Sequence, residues 1–215
     1  MDRAARNPTE IKVWDRFIRV FHWTLVGGFF LAYFTEDDVL TVHVWAGYVA
    51  GVLIFLRILW GFAGPHHARF SNFIYGPFTV LRYGRDLLRF RSKRYLGHSP
   101  AGGAMVLALL VSLAVTVSSG LLVYAEEEDA GPLAPFFTTE VHDTDEDSGG
   151  NGRSPRRGRG GSSFDDVHEV TANVTLALIF FHVLGVLLAS FAHRENLALS
   201  MITGRKRREN NSANE

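Results

Sequence analysis

Four apolar runs, each long enough to cross a bilayer as a helix, constrain this chain more than anything else in it. A hydrocarbon core of about 30 Å needs roughly 20 apolar residues of helix. The runs lie at about residues 17–34 (FIRVFHWTLVGGFFLAYF), 43–63 (HVWAGYVAGVLIFLRILWGFA), 102–124 (GGAMVLALLVSLAVTVSSGLLVY) and 167–192 (VHEVTANVTLALIFFHVLGVLLASFA). The third carries no charge at all. Helices of a soluble bundle seldom run so long without a polar face. The expected fold is therefore an all-α membrane protein, a four-transmembrane-helix bundle, with the 215 residues forming a single membrane domain. The mean hydropathy of +0.07 does not contradict this, because it averages apolar spans against very polar loops. No secretory signal is expected ahead of the first span, since a polar segment with Asp2, Glu10 and Asp15 leads straight into it.

Loop charges orient the spans. Five basic residues (Arg3, Arg6, Lys12, Arg16, Arg19) precede or open the first span against three acidic ones, and seven against Asp86 alone lie in residues 64–101. Beyond the fourth span, residues 193–215 add Arg194 and the run Arg205, Lys206, Arg207, Arg208. The turn Glu36–Asp37–Asp38 and the loop 125–166, with eleven acidic residues against four Arg, take the other side. Both termini are expected in the cytoplasm and the acidic loops outside. The formal net charge of zero is thus a cancellation of two fields. It gives no support to a nucleic-acid binder, while the basic face suits an anionic inner leaflet. Residues 138–163 read as a disordered insertion, an acidic stretch followed by a Gly/Arg/Ser stretch that can bury little apolar surface. Residues 76–90 have apolar side chains at near-helical spacing and predict an amphipathic interfacial helix.

Four of nine histidines fall within the spans: His22, His43, His168 and His182. Ionisable groups at membrane depth are costly and point to function. His168 and His182 are 14 residues apart, about 21 Å along a helix and within about 40° of one another around it. One helix thus presents an imidazole near each surface. His22 matches His182 in depth and His43 matches His168, which makes two His–His pairs, one per leaflet. Paired imidazoles in a helical bundle suit bis-histidine ligation of b-type haem, which closes both axial positions. The chain has no cysteine, which excludes disulfides, Cys-ligated zinc, iron–sulfur clusters and covalently attached c-type haem. A bare Zn²⁺ or Cu²⁺ would recruit a third ligand, and none is evident near His22 or His182. Gly47, Gly51 and Gly185 share faces with these ligands and could admit a macrocycle, or simply close helix packing. Arg19 and Arg57, near the cytoplasmic surface, are candidates to pair with haem propionates; snorkelling to lipid headgroups explains them as well. His66, His67, His98, His142 and His193 read as solvated loop residues.

The segments VWDRFIRVFHW, VHVWAGYVAG, FLRILWGF, ARFSNFIYGP, RYLGHSPAGG, DVHEVTANVTLALIFFHVLGV and SFAHRENLALSMITGRKR resemble the bacterial cytochrome b561 family. More narrowly, they are similar to its hydrogenase-type cytochrome b branch. The resemblance spans nearly the whole chain outside the insertion. It implies two haem b groups, with metal ligands His22 and His182 for the inner haem and His43 and His168 for the outer. It implies electron exchange between an extracytoplasmic redox protein, such as a periplasmic c-type cytochrome, and the quinone pool, from the bacterial inner membrane. Hydrogenase-associated members commonly have an additional span that this sequence lacks, so the redox partner is not specified as a hydrogenase. One branch oxidises superoxide and reduces quinone, though acidic outer loops repel an anion. A non-haem transporter with a His proton relay is the remaining alternative, and Glu169 is the only membrane carboxylate available to it. The sequence leaves open whether the chain pairs with a second copy of itself.

Overall fold

A computed structural model of the chain describes residues 10–36, 39–137 and 163–207. Four long helices dominate: α1 (Arg16–Phe34), α2 (Leu40–Ala63), α4 (Pro100–Glu127) and α5 (Ser163–His193). Each is long and apolar enough to cross a membrane. Two of them, α1 and α4, open on polar caps just outside the apolar runs. The Asp15 carboxylate accepts the Ile18 N–H at 2.9 Å, and the Ser99 hydroxyl accepts that of Gly102 at 3.2 Å ahead of Pro100. Such side chains satisfy donors that the first turn leaves free. Asp165 and Asp166 in the first turn of α5 complement the helix dipole. The expected disorder of 138–163 lies outside the described residues, except that Ser163 opens α5.

Helix α1 packs on α2, α4 on α5, and α2 joins the pairs through α4. Phe29, Ile54 and Leu113 meet at the centre, with Leu25, Val117, Leu176 and Ile179 around them. Where α4 meets α5 the contact is polar: the Ser112 and Thr175 hydroxyls lie 2.7 Å apart, and Thr116 approaches Thr175 at 3.4 Å. Thr175 is fully buried. The outward faces are apolar, with Phe55, Phe62, Phe180, Leu187 and Phe191 all exposed. Apolar bands of this extent are stable only against lipid.

The amphipathic helix expected at 76–90 is α3 (Pro77–Leu88), opened by Pro77 at its first turn. Phe78, Leu81 and Leu88 are exposed on one side while Tyr83 and Leu87 pack inward. After α5 the described part of the basic tail is structured as far as Arg207. It forms α6 (Leu197–Thr203), capped by Asn196 and ended by Gly204 at φ +80°, a conformation glycine adopts without strain. Strand β2 (Arg205–Arg207) then pairs antiparallel with β1 (Glu10–Lys12). Arg94 clamps this end, donating two hydrogen bonds to the Glu195 carboxylate at 2.8 and 3.1 Å and one to the Arg207 carbonyl at 2.6 Å. Both described ends of the chain therefore meet at the basic end of the bundle, over a cluster of Val13, Trp14, Ile18 and Ala68.

Candidate functional site

The structure brings the four span histidines together in two pairs. The rings of His43, in the first turn of α2, and His168, in the second turn of α5, have centroids 5.9 Å apart. Those of His22 on α1 and His182 on α5 are 6.4 Å apart. A first-row metal about 2.0–2.1 Å from each imidazole nitrogen holds two ring centres roughly 6–6.5 Å apart. Both spacings suit one metal between two imidazoles.

The acidic-end pair is held by backbone. His43 Nδ1 donates to the Ala32 carbonyl in the last turn of α1, and His168 Nδ1 to the Thr116 carbonyl in mid-α4, each at 2.9 Å. A carbonyl only accepts, so the proton must sit on Nδ1 of each ring and Nε2 is left to coordinate. The Thr116 carbonyl is reachable because residue 120, one turn on, is glycine. A Cβ at Gly120 would lie 2.8 Å from His168 Cε1. A cleft beside this pair is lined by Phe29, Glu36, Gly47, Leu113, Val117 and Ala172, among others, with about 790 Å³ of free space including its open side. At Gly47 a Cβ would meet nothing within 4 Å, as expected of a surface that admits a macrocycle, whereas Gly51 rests against Val117 and serves helix packing.

The basic-end pair is held differently. His22 Nδ1 is buried with no partner, and its ring stands edge-on to Trp23 at 5.1 Å. Gly185, one turn beyond His182, opens onto free space. Arg57 is 3% exposed, so it does not snorkel. Its guanidinium sits 5.0 Å from the Phe70 ring and 6.0 Å from the Phe73 ring, and its Nη1 has no partner. Asp15 offsets part of its charge from beyond ion-pair distance, and a propionate would relieve the remaining cost of burying it. Arg19 donates to the Ile202 carbonyl at 2.5 Å, tying α1 to the last turn of α6, while its buried Nε has no partner.

Among the loop histidines, His66 is exposed but His98 corrects the expectation of solvation. Its ring packs 4.4 Å from Phe73 and 4.7 Å from Trp14, and its Nδ1 is buried without a partner. Burial, with help from the positive charges of Arg57 and Lys206, pushes its pKa down to about 3. Trp14 and Phe73 lie far from it along the chain, so no local sequence pattern marks this burial. His67 is half-buried, and burial together with His66 and Lys206 lowers its pKa. His193 is half-buried against Ser92 at 3.4 Å, and His142 lies outside the described residues.

Among the described residues no three His, Asp or Glu side chains converge as a bare metal-ion site would require. The donor set is two separated imidazole pairs, each with an adjoining open surface or unpaired cation. Compared with known proteins, residues 13–204 match the profile of the prokaryotic cytochrome b561 family. The chain belongs to that family. Its membership covers all four spans and makes it a multi-pass membrane protein of the bacterial inner membrane, a b-type cytochrome. Among curated relatives, a probable Ni/Fe-hydrogenase B-type cytochrome subunit of Bradyrhizobium diazoefficiens is 26% identical over 155 residues, covering 58% of this chain and 62% of the relative. Its counterpart in Azotobacter vinelandii is 26% identical over 152 residues, covering 57% and 62%. This b561-family chain thus spans about three fifths of the length of those relatives. No solved structure matches it.

Proposed function

We propose that this chain is a single membrane domain carrying electrons through two bis-histidine haems, between a redox protein at its acidic, extracytoplasmic end and the quinone pool. His22 and His182 ligate one haem, and His43 and His168 the other. The observation that carries this reading is the paired geometry, with ring centres 6.4 and 5.9 Å apart. The Nδ1–carbonyl bonds that leave Nε2 of His43 and His168 free strengthen it.

When bound, haem supplies a reversible one-electron couple. The protein does the rest. The pairs His22–His182 and His43–His168 would each hold one haem, which would then supply electron transfer and not oxygen chemistry. Phe29, Leu113 and Val117 give the cleft beside His43 and His168 an apolar lining. Helix α5 sets the separation of the sites, about 21 Å for 14 residues. Arg57, with its unpaired Nη1, anchors a propionate, and Arg19 offers its free Nε as a second anchor. The positive-inside bias puts β1, β2 and α6 in the cytoplasm. A c-type cytochrome or another redox subunit is the partner at the acidic end, and the relatives' names make a hydrogenase one such subunit.

A reduced-minus-oxidised spectrum of the purified full chain, with haem content per chain, tests this. The expected result is a b-type α band and two haems. His22→Ala and His182→Ala should each remove the same haem, leaving the other. Lack of an α band, or loss of different haems in those two variants, refutes the assignment.

A further inference from the structure

The basic residues at the cytoplasmic end of the bundle divide into two groups. Several are engaged within the fold. Arg19 donates to the Ile202 carbonyl, Arg69 to the Gly64 carbonyl at 2.6 Å, and Arg94 to Glu195 and the Arg207 carbonyl. Lys206 is buried with its ammonium 5.6 Å from the Trp14 ring. The arginines of α3 are not so engaged. Arg82 and Arg89 are exposed, and their side chains meet no carboxylate among the described residues. Arg85, between them, reaches only its neighbour Asp86, at 3.4 Å, and stays 59% exposed. Asp86 is the one acid in residues 64–101, so this stretch of chain cannot neutralise the three.

Residues 82, 85 and 89 fall within about 60° of one another around the helix and within about 10 Å along it. Phe78 lies on the same stripe, Leu81 and Leu88 lie beside it, and all three are exposed. One face thus combines cations with large apolar side chains, which suits neither water nor hydrocarbon alone. Its level in the membrane follows from its neighbours. Just past the helix, the Phe90 ring meets that of Phe191 at 5.8 Å, and Ser92 lies 3.4 Å from His193, the last residue of α5. The apolar side of α3 therefore continues the lipid-facing band of α5 at the height where that band ends. We propose that the outer face of α3 is a docking surface for anionic phospholipids of the cytoplasmic leaflet. Arg82, Arg85 and Arg89 hold the phosphates, which guanidinium groups pair bidentately. Phe78, Leu81 and Leu88 enter the upper acyl chains, as the apolar side of an interfacial helix does. The complementarity is of charge and of apolarity together, and it selects among lipids by headgroup.

The test uses the full chain reconstituted in phosphatidylcholine vesicles with trace spin-labelled phosphatidylglycerol or spin-labelled phosphatidylcholine. Electron paramagnetic resonance reads the motionally restricted fraction of each. A basic side chain at an anionic lipid surface is worth about fivefold, so three should give phosphatidylglycerol a preference of at least about tenfold at this surface. Arg82→Gln and Arg89→Gln should each reduce it by about fivefold, and the two together should remove most of it. Arg82→Lys with Arg89→Lys should keep most of it, since the charge remains. An unchanged b-type α band identifies folded variants. Equal restriction of the two lipids, or a preference that survives the double Gln variant, would overturn the assignment. So would its loss to inorganic phosphate at constant ionic strength, because the surface would then be a site for the free anion. None of these outcomes bears on the histidine pairs.

Discussion

On the proposed two-haem reading, adding one methyl group at Gly120 should weaken the His43–His168 site and spare the other. The new Cβ would lie 2.8 Å from His168 Cε1 and 3.1 Å from its Nδ1, where unstrained carbon contacts need about 3.5–4.0 Å. The ring must retreat by roughly 0.7–1 Å. That motion stretches its 2.9 Å bond to the Thr116 carbonyl past the limit of a useful hydrogen bond, about 3.5 Å. Loss of a partner that orients a ligating imidazole costs about 10–100-fold in metal-site affinity, or about 1.4–2.8 kcal/mol. Helix α4 itself is not weakened, since Ala favours helix over Gly by about 1 kcal/mol. Haem titration of Gly120→Ala, read as haem per chain and α-band amplitude, should show one site at wild-type affinity and one weakened. Gly27→Ala, where a Cβ meets nothing within 4 Å, is the control. Two haems at full affinity, or equal loss of both, would refute the packing argument.

Two further outcomes follow from the same contacts. Thr175→Val removes the hydroxyl that meets Ser112 at 2.7 Å while keeping its volume; it should lower resistance to denaturing detergent by about 0.5–2 kcal/mol and leave both haem spectra unchanged, and an unaltered unfolding midpoint would sink this. Burial works against the Glu195 carboxylate, but the hydrogen bonds from Arg94 and the Arg207 N–H outweigh it and hold its pKa below the usual range. A depressed folded-state pKa contributes stability above the ordinary Glu value of about 4.3 that is lost as pH falls through the folded one. Hydrogen exchange of α6 and β2 should therefore quicken below about pH 4.3. Glu195→Gln should already be fast at neutral pH, by about 1.5–3 kcal/mol, and slow exchange in that variant would show that the clamp does not hold the tail.

The spans and the pairing of the histidines were legible in the sequence because both rest on periodicity and depth. The 14 residues from His168 to His182 fix a shared face and a separation through helix geometry alone. What orders those rings was not legible. The acceptors are main-chain oxygens of Ala32 and Thr116, and a carbonyl leaves no mark in the residue code. Gly120 was the visible trace, yet a small residue in an apolar span reads equally as helix packing, which is what Gly51 turned out to do. Arg57 could be placed in depth but not in exposure, since its burial depends on Phe70 and Phe73 folding back from the next loop. Helix α6 is too short to show a period, so only the structure reveals it, between its cap Asn196 and its stop Gly204.

Helix α5 supplies one imidazole to each pair, while the partners come from two different helices. It therefore works as a single ruler against which both sites are set. A slip of one turn, about 5.4 Å, would misalign both sites at once, and the Ser112–Thr175–Thr116 hydroxyls, midway between the two marks on that ruler, oppose it. Filling either site fixes the register that the other needs. On the proposed two-haem reading, the chain would then acquire its cofactors cooperatively, with the first to bind preparing the place of the second.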